Sequence, residues 1–210
     1  MIIAAFNEEK VIVRTIQALL ASPYPTLEVI VVDDGSKDDT AGIVRRTFAQ
    51  EPRVQLLQQE NAGKAQALNQ GIAQSRGEIL IGLDADTLFV PETVSLLVRH
   101  FSDPQVGAVA GNIQVGNRNN LWTRLQALEY TISQNFDRRA FAWLNAIGVV
   151  PGCVGAWRRS AIEAAGGYTR DTLAEDADLT WRVRKAGWKL VTEAPERRSE
   201  LMKQRYRAPP

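Results

Sequence analysis

Short polar segments follow three of the predicted strands of this 210-residue chain, and their polar side chains are mainly carboxylates. The segments are residues 6–8, residues 33–36 and residues 84–86. In an open parallel sheet the carboxyl ends of the strands meet at one edge, and ligands bind in the crevice beyond that edge. The spacing therefore predicts one polar, acidic site built from separate parts of the chain.

Asp84-Ala85-Asp86 is the most informative of these segments. Side chains at i and i+2 of an extended chain point to the same side, so both carboxylates can face one hard cation. Mg²⁺ and Mn²⁺ favour oxygen ligands, and Mg²⁺ often takes one or two carboxylates plus substrate phosphates and water. The small Ala85 lets the backbone approach a ligand closely. The alternative is a solvated acidic turn; an EF-hand is excluded because Phe89 stands where its loop needs glycine.

Asp33-Asp34-Gly35-Ser36 allows two interpretations. Asp, Gly and Ser are turn formers, so the segment can simply end a strand. A carboxylate at this position can also accept the imide N–H of a uracil ring. Both interpretations stay open at this point.

Asn61-Ala62-Gly63-Lys64 opens a predicted helix. Its backbone N–H groups, together with the Lys64 ammonium, can meet a diphosphate, although Lys64 can equally be a surface lysine. Neither G-x-G-x-x-G nor G-x-x-x-x-G-K-[ST] occurs in the chain. Dinucleotide binding and P-loop chemistry are therefore disfavoured.

Thr172, with Glu175 three residues later, fits a helix capping box. This pattern leaves Asp176 unexplained, an acid in the first helical turn. Asp176 is a candidate general base, which must lie within hydrogen-bond reach of the proton it removes. The alternative is a charge that interacts favourably with the helix dipole.

Strand and helix signals alternate along the chain. The predicted strands cover residues 2–6, 27–32, 54–57, 78–83, 106–110 and 188–192, and the predicted helices cover about 11–20, 38–49, 62–74, 119–140, 160–165, 173–186 and 196–206. This alternation predicts one α/β domain over residues 1–210, a mostly parallel sheet covered by helices on both faces. Met1 leads straight into the first strand and Pro210 ends a polar stretch, so we expect both ends to be trimmed.

Composition excludes several classes of protein. Lys and Arg total 25 and Asp and Glu total 24, so the basic excess typical of nucleic-acid binding is absent. One cysteine (Cys153) excludes an internal disulfide, and one histidine (His100) excludes a multi-histidine metal site. No apolar run approaches the roughly 18–20 residues that span a bilayer, and no signal peptide is evident. We expect this chain to be soluble, in a reducing compartment.

The segments resemble, in order and approximate spacing, the motifs of inverting glycosyltransferases of family 2. The matching segments are residues 5–9, 33–36, 61–69, 84–86 and 174–176. Within the family, the chain is most similar to membrane polysaccharide synthases that make β-linked poly-N-acetylglucosamine, chitin-type oligomers, cellulose or hyaluronan. The resemblance implies a GT-A fold with a Rossmann-like nucleotide-sugar-binding half (about 1–111) and an acceptor and catalytic-base half (about 112–210).

The resemblance also implies a UDP-sugar donor, a carbohydrate acceptor and Mg²⁺ or Mn²⁺ as cofactor. It assigns donor binding to Ala5, Phe6, Glu8, Asp33, Asp34, Lys64, Asp84, Ala85, Gln204 and Arg207. It assigns metal binding to Asp86 and Asp84, and catalysis to Asp176 with Glu175 beside it. One in-line displacement would then convert an α-linked donor into a β-linked product. The full-length protein is expected at the cytoplasmic face of the cell membrane.

Two departures from the family pattern leave an alternative open. The synthases carry Gln-x-x-Arg-Trp, but here Gln204-Arg205-Tyr206-Arg207 is followed by Ala208. The stretch between Asp176 and Gln204 is also shortened. Besides these two departures, the membrane helices that flank the domain in such synthases are absent from this chain. The alternative is a catalytically impaired fragment that binds the UDP-sugar but lacks the complete acceptor motif. A sugar-phosphate nucleotidyltransferase is disfavoured, because residues 6–8 stand where it needs a glycine-rich basic loop.

Overall fold

A computed structural model describes residues 1–111, 114–115, 148–170, 172, 174–193 and 202–204. Its strands are β1 (Ile2–Ala5), β2 (Val29–Asp34), β3 (Val54–Gln59), β4 (Ile79–Asp84), β5 (Thr87–Phe89), β6 (Val106–Ala110), β7 (Gln114–Val115), β8 (Gly155–Arg158), β9 (Lys189–Thr192) and β10 (Met202–Gln204). Its helices are α1 (Ile12–Leu20), α2 (Thr40–Thr47), α3 (Lys64–Gln74), α4 (Thr93–Val98), α5 (Arg159–Ala165) and α6 (Glu175–Lys185).

The main sheet has seven strands in the order β3-β2-β1-β4-β8-β6-β9. β1 pairs in parallel with β2 and β4, and the register sets Ala5 opposite Asp33 and Ala4 opposite Asp84. The carboxyl ends of these three strands therefore lie at the same edge of the sheet. The mostly parallel sheet predicted from the strand–helix alternation is confirmed.

The sequence pattern does not predict β8 as a strand. It lies between β4 and β6 and runs antiparallel to both. Its four residues begin with glycine, and such a short run carries no two-residue periodicity of its own. Its conformation comes from the two neighbouring strands, between which Ala156 and Trp157 are buried.

A second, three-stranded sheet has the order β5-β10-β7. The predicted helix over residues 196–206 is wrong at Met202–Gln204, which pairs antiparallel with β5 and parallel with β7. Local helix preference is a weak signal in a polar segment, and the strand partners override it. The helix predicted over residues 119–140 lies outside the described residues.

Apolar side chains pack on both faces of the main sheet. On one face, α1 buries Ile12, Thr15, Ile16 and Leu19, the i, i+3, i+4, i+7 spacing of one helical stripe. On the other face, α3, α5 and α6 contribute residues such as Leu68, Ile162, Leu179 and Val183. These packed helices fix the strands whose ends form the acidic edge.

Arg159 ties α5 to the end of α3. Its guanidinium donates hydrogen bonds to the carbonyl oxygens of Ile72, Ser75 and Gly77 at 3.2, 2.9 and 3.0 Å, and to the Ser75 hydroxyl at 2.7 Å. Carbonyl groups at a helix C-terminus lack partners within the helix, and a cation there is favourable. Arg159 therefore stabilises the helix whose opposite end carries Lys64.

Arg159→Lys should lower the free energy of unfolding by about 2 kcal/mol, because lysine keeps the charge but loses the planar fork of donors. Urea unfolding followed by circular dichroism measures the change. Arg46→Lys is the control, since Arg46 makes an exposed ion pair with Asp39. A loss no larger than that of the control would contradict this role for Arg159.

Candidate active site

A cleft of about 320 Å³ opens at the carboxyl edge of β1, β2 and β4. It is lined by Ala4, Ala5, Phe6, Glu8, Asp34, Lys64, Asp84, Ala85 and Asp86. Most of the residues expected to bind a donor or a metal thus come together in one place. Asp33 is outside this lining; its neighbour in β2, Asp34, points to the cleft, and successive strand residues point to opposite faces.

A larger cavity, about 670 Å³, lies at the opposite edge of the sheet. Its acids already serve the fold: Glu28 accepts hydrogen bonds from the backbone N–H groups of Arg76 and Gly77, and Glu78 pairs with Arg158. This cavity therefore lacks the convergent polar groups that the smaller cleft has.

The loop after β1 is fastened to the turn after β2. The Asn7 N–H donates to the Ser36 hydroxyl at 2.9 Å, and the Asn7 side-chain oxygen accepts from the Lys37 N–H at 2.7 Å. Asn7 has φ of 58°, a left-handed conformation that asparagine adopts more readily than most residues. Asn7 therefore has a structural role that the sequence analysis missed, and it leaves Phe6 43% exposed at the cleft.

Asp34 organises the start of α3. Its Oδ1 accepts hydrogen bonds from the Ala62 N–H at 2.8 Å and the Gln59 side chain at 2.6 Å, and its Oδ2 accepts from the Gly63 N–H at 2.9 Å. The expectation that these two backbone N–H groups meet a diphosphate is therefore wrong. They satisfy the hydrogen-bonding capacity of the buried Asp34 carboxylate. Oδ1 already accepts two hydrogen bonds and Oδ2 accepts one, so Oδ2 is the oxygen that can accept a ligand N–H.

The Lys64 ammonium lies between the cleft and α6. Its Nζ is 2.7 Å from Asp84 Oδ1 and 3.7 Å from Glu175 Oε1. Burial lowers the pKa of this lysine, but Asp84, Asp176 and Glu175 together raise it more, so the pKa lies above its usual range. Lys64 is thus a permanently charged group that links the end of β4 to the first turn of α6.

Asp176 lies in the first turn of α6, and its Oδ2 accepts a hydrogen bond from the Gly152 N–H at 2.8 Å. Burial raises the pKa of Asp176, as do the nearby Glu175 and Asp84, while Lys64 and the Gly152 hydrogen bond oppose the rise. The expected capping box is wrong: α6 begins at Glu175, directly after Ala174, and the Thr172 hydroxyl accepts from the Ala174 N–H. Without Thr172 as N-cap, Glu175 is free to approach Lys64.

Asp84 and Asp86 both line the cleft, separated by Ala85. Thr15, buried in α1, donates to the Ala85 carbonyl oxygen at 2.6 Å and so holds this turn from beneath. Within the described ranges, no group of three or more His, Cys, Asp or Glu side chains is arranged to hold a metal ion. Two carboxylates nevertheless fit Mg²⁺ or Mn²⁺ when substrate phosphates and water complete the shell.

The two residues expected from the C-terminal motif have different outcomes. Gln204 is the last residue of β10, where it is opposite Thr87 in β5, the strand that begins directly after Asp86. Arg207 lies outside the described residues. The backbone of Gln204 is thus brought to the segment that follows the acidic pair.

Residues 1–166 match the glycosyl transferase family 2 domain. The chain therefore belongs to this family, and the resemblance drawn from its motifs is confirmed. Poly-beta-1,6-N-acetyl-D-glucosamine synthase of Staphylococcus aureus (strain COL) is 30% identical over 215 residues, covering 98% of this chain and 52% of the synthase. The synthase of the same name from Staphylococcus epidermidis is 31% identical over 219 residues, again covering 98% and 52%. The chain spans about half the length of the curated relatives it matches.

Solved structures agree on the fold. The mannosyltransferase PcManGT from Pyrobaculum calidifontis, in complex with GDP-Man and Mn²⁺, superposes with a TM-score of 0.76 at 28% identity, covering 95% of this chain and 57% of that one. S. aureus TarS 1–349, in complex with UDP-GlcNAc, gives a TM-score of 0.76 at 17% identity, covering 100% and 58%. The sheet and its flanking helices are the GT-A fold, as expected. No helix in the described part of the chain is long and apolar enough to cross a membrane.

Asp34→Asn should loosen the turn before α3, because the amide offers one acceptor oxygen and turns an N–H donor toward N–H groups. We expect faster hydrogen exchange at Ala62 and Gly63 and a free energy of unfolding lower by about 2 kcal/mol. Exchange followed by NMR or mass spectrometry measures the first effect. Asp39→Asn, at a half-exposed aspartate, is the control, and unchanged exchange at Ala62 and Gly63 would refute the assignment.

Proposed function

We propose that this chain is the catalytic domain of an inverting, metal-dependent glycosyltransferase that transfers a sugar from a UDP-sugar to a carbohydrate hydroxyl, forming a β linkage. The observation that carries the proposal is the charged contact of Lys64 with Asp84 and Glu175, which joins the cleft to the turn that holds Asp176. The identity to poly-beta-1,6-N-acetyl-D-glucosamine synthases supports N-acetylglucosamine as the sugar and polysaccharide synthesis as the process.

The donor would lie in the cleft at the carboxyl edge of the sheet. The loop from Ala5 to Glu8 would enclose the uridine, with the exposed Phe6 ring against the base and Asp34 Oδ2 within reach of its imide N–H. Lys64 would turn its charge toward the diphosphate, which would replace part of its contact with Asp84. These roles combine one exposed aromatic ring with a few placed polar groups, the kind of groups that fix the orientation of a ligand in a small-molecule site.

Asp86 and Asp84 would hold the Mg²⁺ or Mn²⁺ ion. When bound, such an ion stabilises the negative charge that develops on the departing diphosphate. The Lys64 ammonium already neutralises Asp84 in the structure, so this position favours positive charge before any ion arrives.

Asp176 would act as the general base. It lies across Lys64 from the cleft, and it would take the proton of the acceptor hydroxyl as that oxygen attacks the anomeric carbon. A single displacement with the base on one side of the sugar and the diphosphate on the other inverts the anomeric configuration. We propose further that the full-length protein works at the cytoplasmic face of the cell membrane, which is what the resemblance of its motifs to membrane polysaccharide synthases implies.

Asp176→Asn should lower kcat about 100- to 10,000-fold, because the amide cannot accept the hydroxyl proton, while UDP affinity stays near that of the parent. A UDP-release assay with Mn²⁺ across several UDP-sugars measures turnover, and calorimetry measures UDP binding. Asp178→Asn, two residues along α6 and paired with Arg182, is the matched control. Unchanged turnover in Asp176→Asn would reject Asp176 as the base.

The same assay separates the alternative, a donor-binding but catalytically impaired chain. The missing tryptophan after Arg207 is the observation that favours it. UDP binding by the parent chain, with no transfer to any acceptor oligosaccharide under any UDP-sugar, would select this alternative over the active enzyme.

The pH dependence of kcat/KM should follow the ionisation of Asp176. The ionised form is active, so kcat/KM should rise with pH through the pKa of Asp176, which burial places above the ordinary value of about 3.9. Because Lys64 lowers the pKa of Asp176, Lys64→Gln should move this acid limb to higher pH. A midpoint that stays in place in Lys64→Gln would contradict the coupling.

A further inference from the structure

Gly152 lies directly against the carboxylate of Asp176. A Cβ atom built on Gly152 would be 2.4 Å from both Asp176 oxygens and 2.7 Å from Asp176 Cγ, closer than real Cβ atoms come to any neighbour. The φ angle of Gly152 is outside the left-handed region, so backbone conformation does not demand glycine here. Glycine is required because a side chain at position 152 would occupy the space of the Asp176 carboxylate.

The two oxygens of Asp176 have different surroundings. Oδ2 accepts the Gly152 N–H at 2.8 Å. Oδ1 is buried and has no hydrogen-bond partner among the described residues. A buried carboxylate oxygen without a hydrogen bond costs free energy. The contacts around Asp176 must therefore hold its carboxylate in this position.

The loop that carries Gly152 is anchored to the same helical turn. Thr180, which is buried, accepts the Val150 N–H at 3.0 Å and donates to the Asp176 carbonyl oxygen at 2.6 Å. The loop thus contacts Asp176 twice, at the main chain through Thr180 and at the side chain through Gly152.

We propose that Gly152 is the positioning residue for the catalytic base. Its N–H holds Oδ2 and its missing side chain makes room for the carboxylate that receives the proton of the acceptor hydroxyl. This inference rests on the proposed function of Asp176 as base. The O–H bond of the acceptor breaks and its proton passes to the Asp176 carboxylate. The acceptor oxygen uses the freed electron pair to bond the anomeric carbon, while the anomeric C–O bond to the diphosphate breaks and its electron pair leaves with UDP.

Gly152→Ala tests the proposal through the division between kcat and KM. Displacing the carboxylate should lower kcat about 10- to 100-fold, with KM for UDP-N-acetylglucosamine and the Kd of UDP unchanged. Gly148→Ala is the matched control in the same loop, since a Cβ on Gly148 meets no atom of the described residues within 4 Å. Thr180→Val removes the second anchor without adding bulk, and it should lower kcat less.

A stability cycle tests the contact without any assay of activity. Gly152→Ala should lower Tm in the parent but much less in an Asp176→Ala background, because that exchange removes the atoms with which the new Cβ collides. Equal losses of Tm in both backgrounds, or a parent-like kcat in Gly152→Ala, would overturn the inference alone. Parent-like turnover in Asp176→Asn would overturn the proposed base and this inference together.

Discussion

The balance of charge around Lys64 is the constraint on which the site depends. Asp84 at the end of β4 and Asp176 in α6 come from distant parts of the chain. Asp84 and Glu175 place negative charge near Asp176 and raise its pKa. The Lys64 ammonium, 2.7 Å from Asp84, offsets that repulsion. A diphosphate with its cation would bring new charges of both signs. Donor binding would therefore change the electrostatic potential at Asp176, and with it the ionisation of this carboxylate.

Backbone N–H groups fix the positions of the carboxylates in and around this site. Asp34 accepts the N–H groups of Ala62 and Gly63 and so sets the start of the helix that carries Lys64. The Gly152 N–H donates a hydrogen bond to Asp176 and so holds its carboxylate. Backbone donors cannot rotate away as side chains do, so each carboxylate keeps its orientation before any substrate arrives, which is the condition for electrostatic preorganisation.

Much of the parallel half could be predicted because the signals are local. Runs such as residues 29–32 are β-branched and apolar, and turn-forming carboxylates follow them, so both the strand and its polar end can be recognised in sequence. β8 and β10 could not, since four- and three-residue segments carry too little pattern and take their form from neighbouring strands. The capping box predicted at Thr172 is wrong because the Thr172 hydroxyl accepts the Ala174 N–H and α6 begins only at Glu175.

The sequence by itself determined the family, the α/β alternation and the identity of the acidic groups at the strand ends, because these follow from residue types and their order. Only the tertiary structure decided which atoms are available to a ligand. It directed the Ala62 and Gly63 N–H groups to Asp34, set Lys64 against Asp84, and left one oxygen of Asp176 without a hydrogen-bond partner among the described residues. The physical reason is that hydrogen bonds and ion pairs between distant segments depend on distances that exist only after the sheet and its helices have packed.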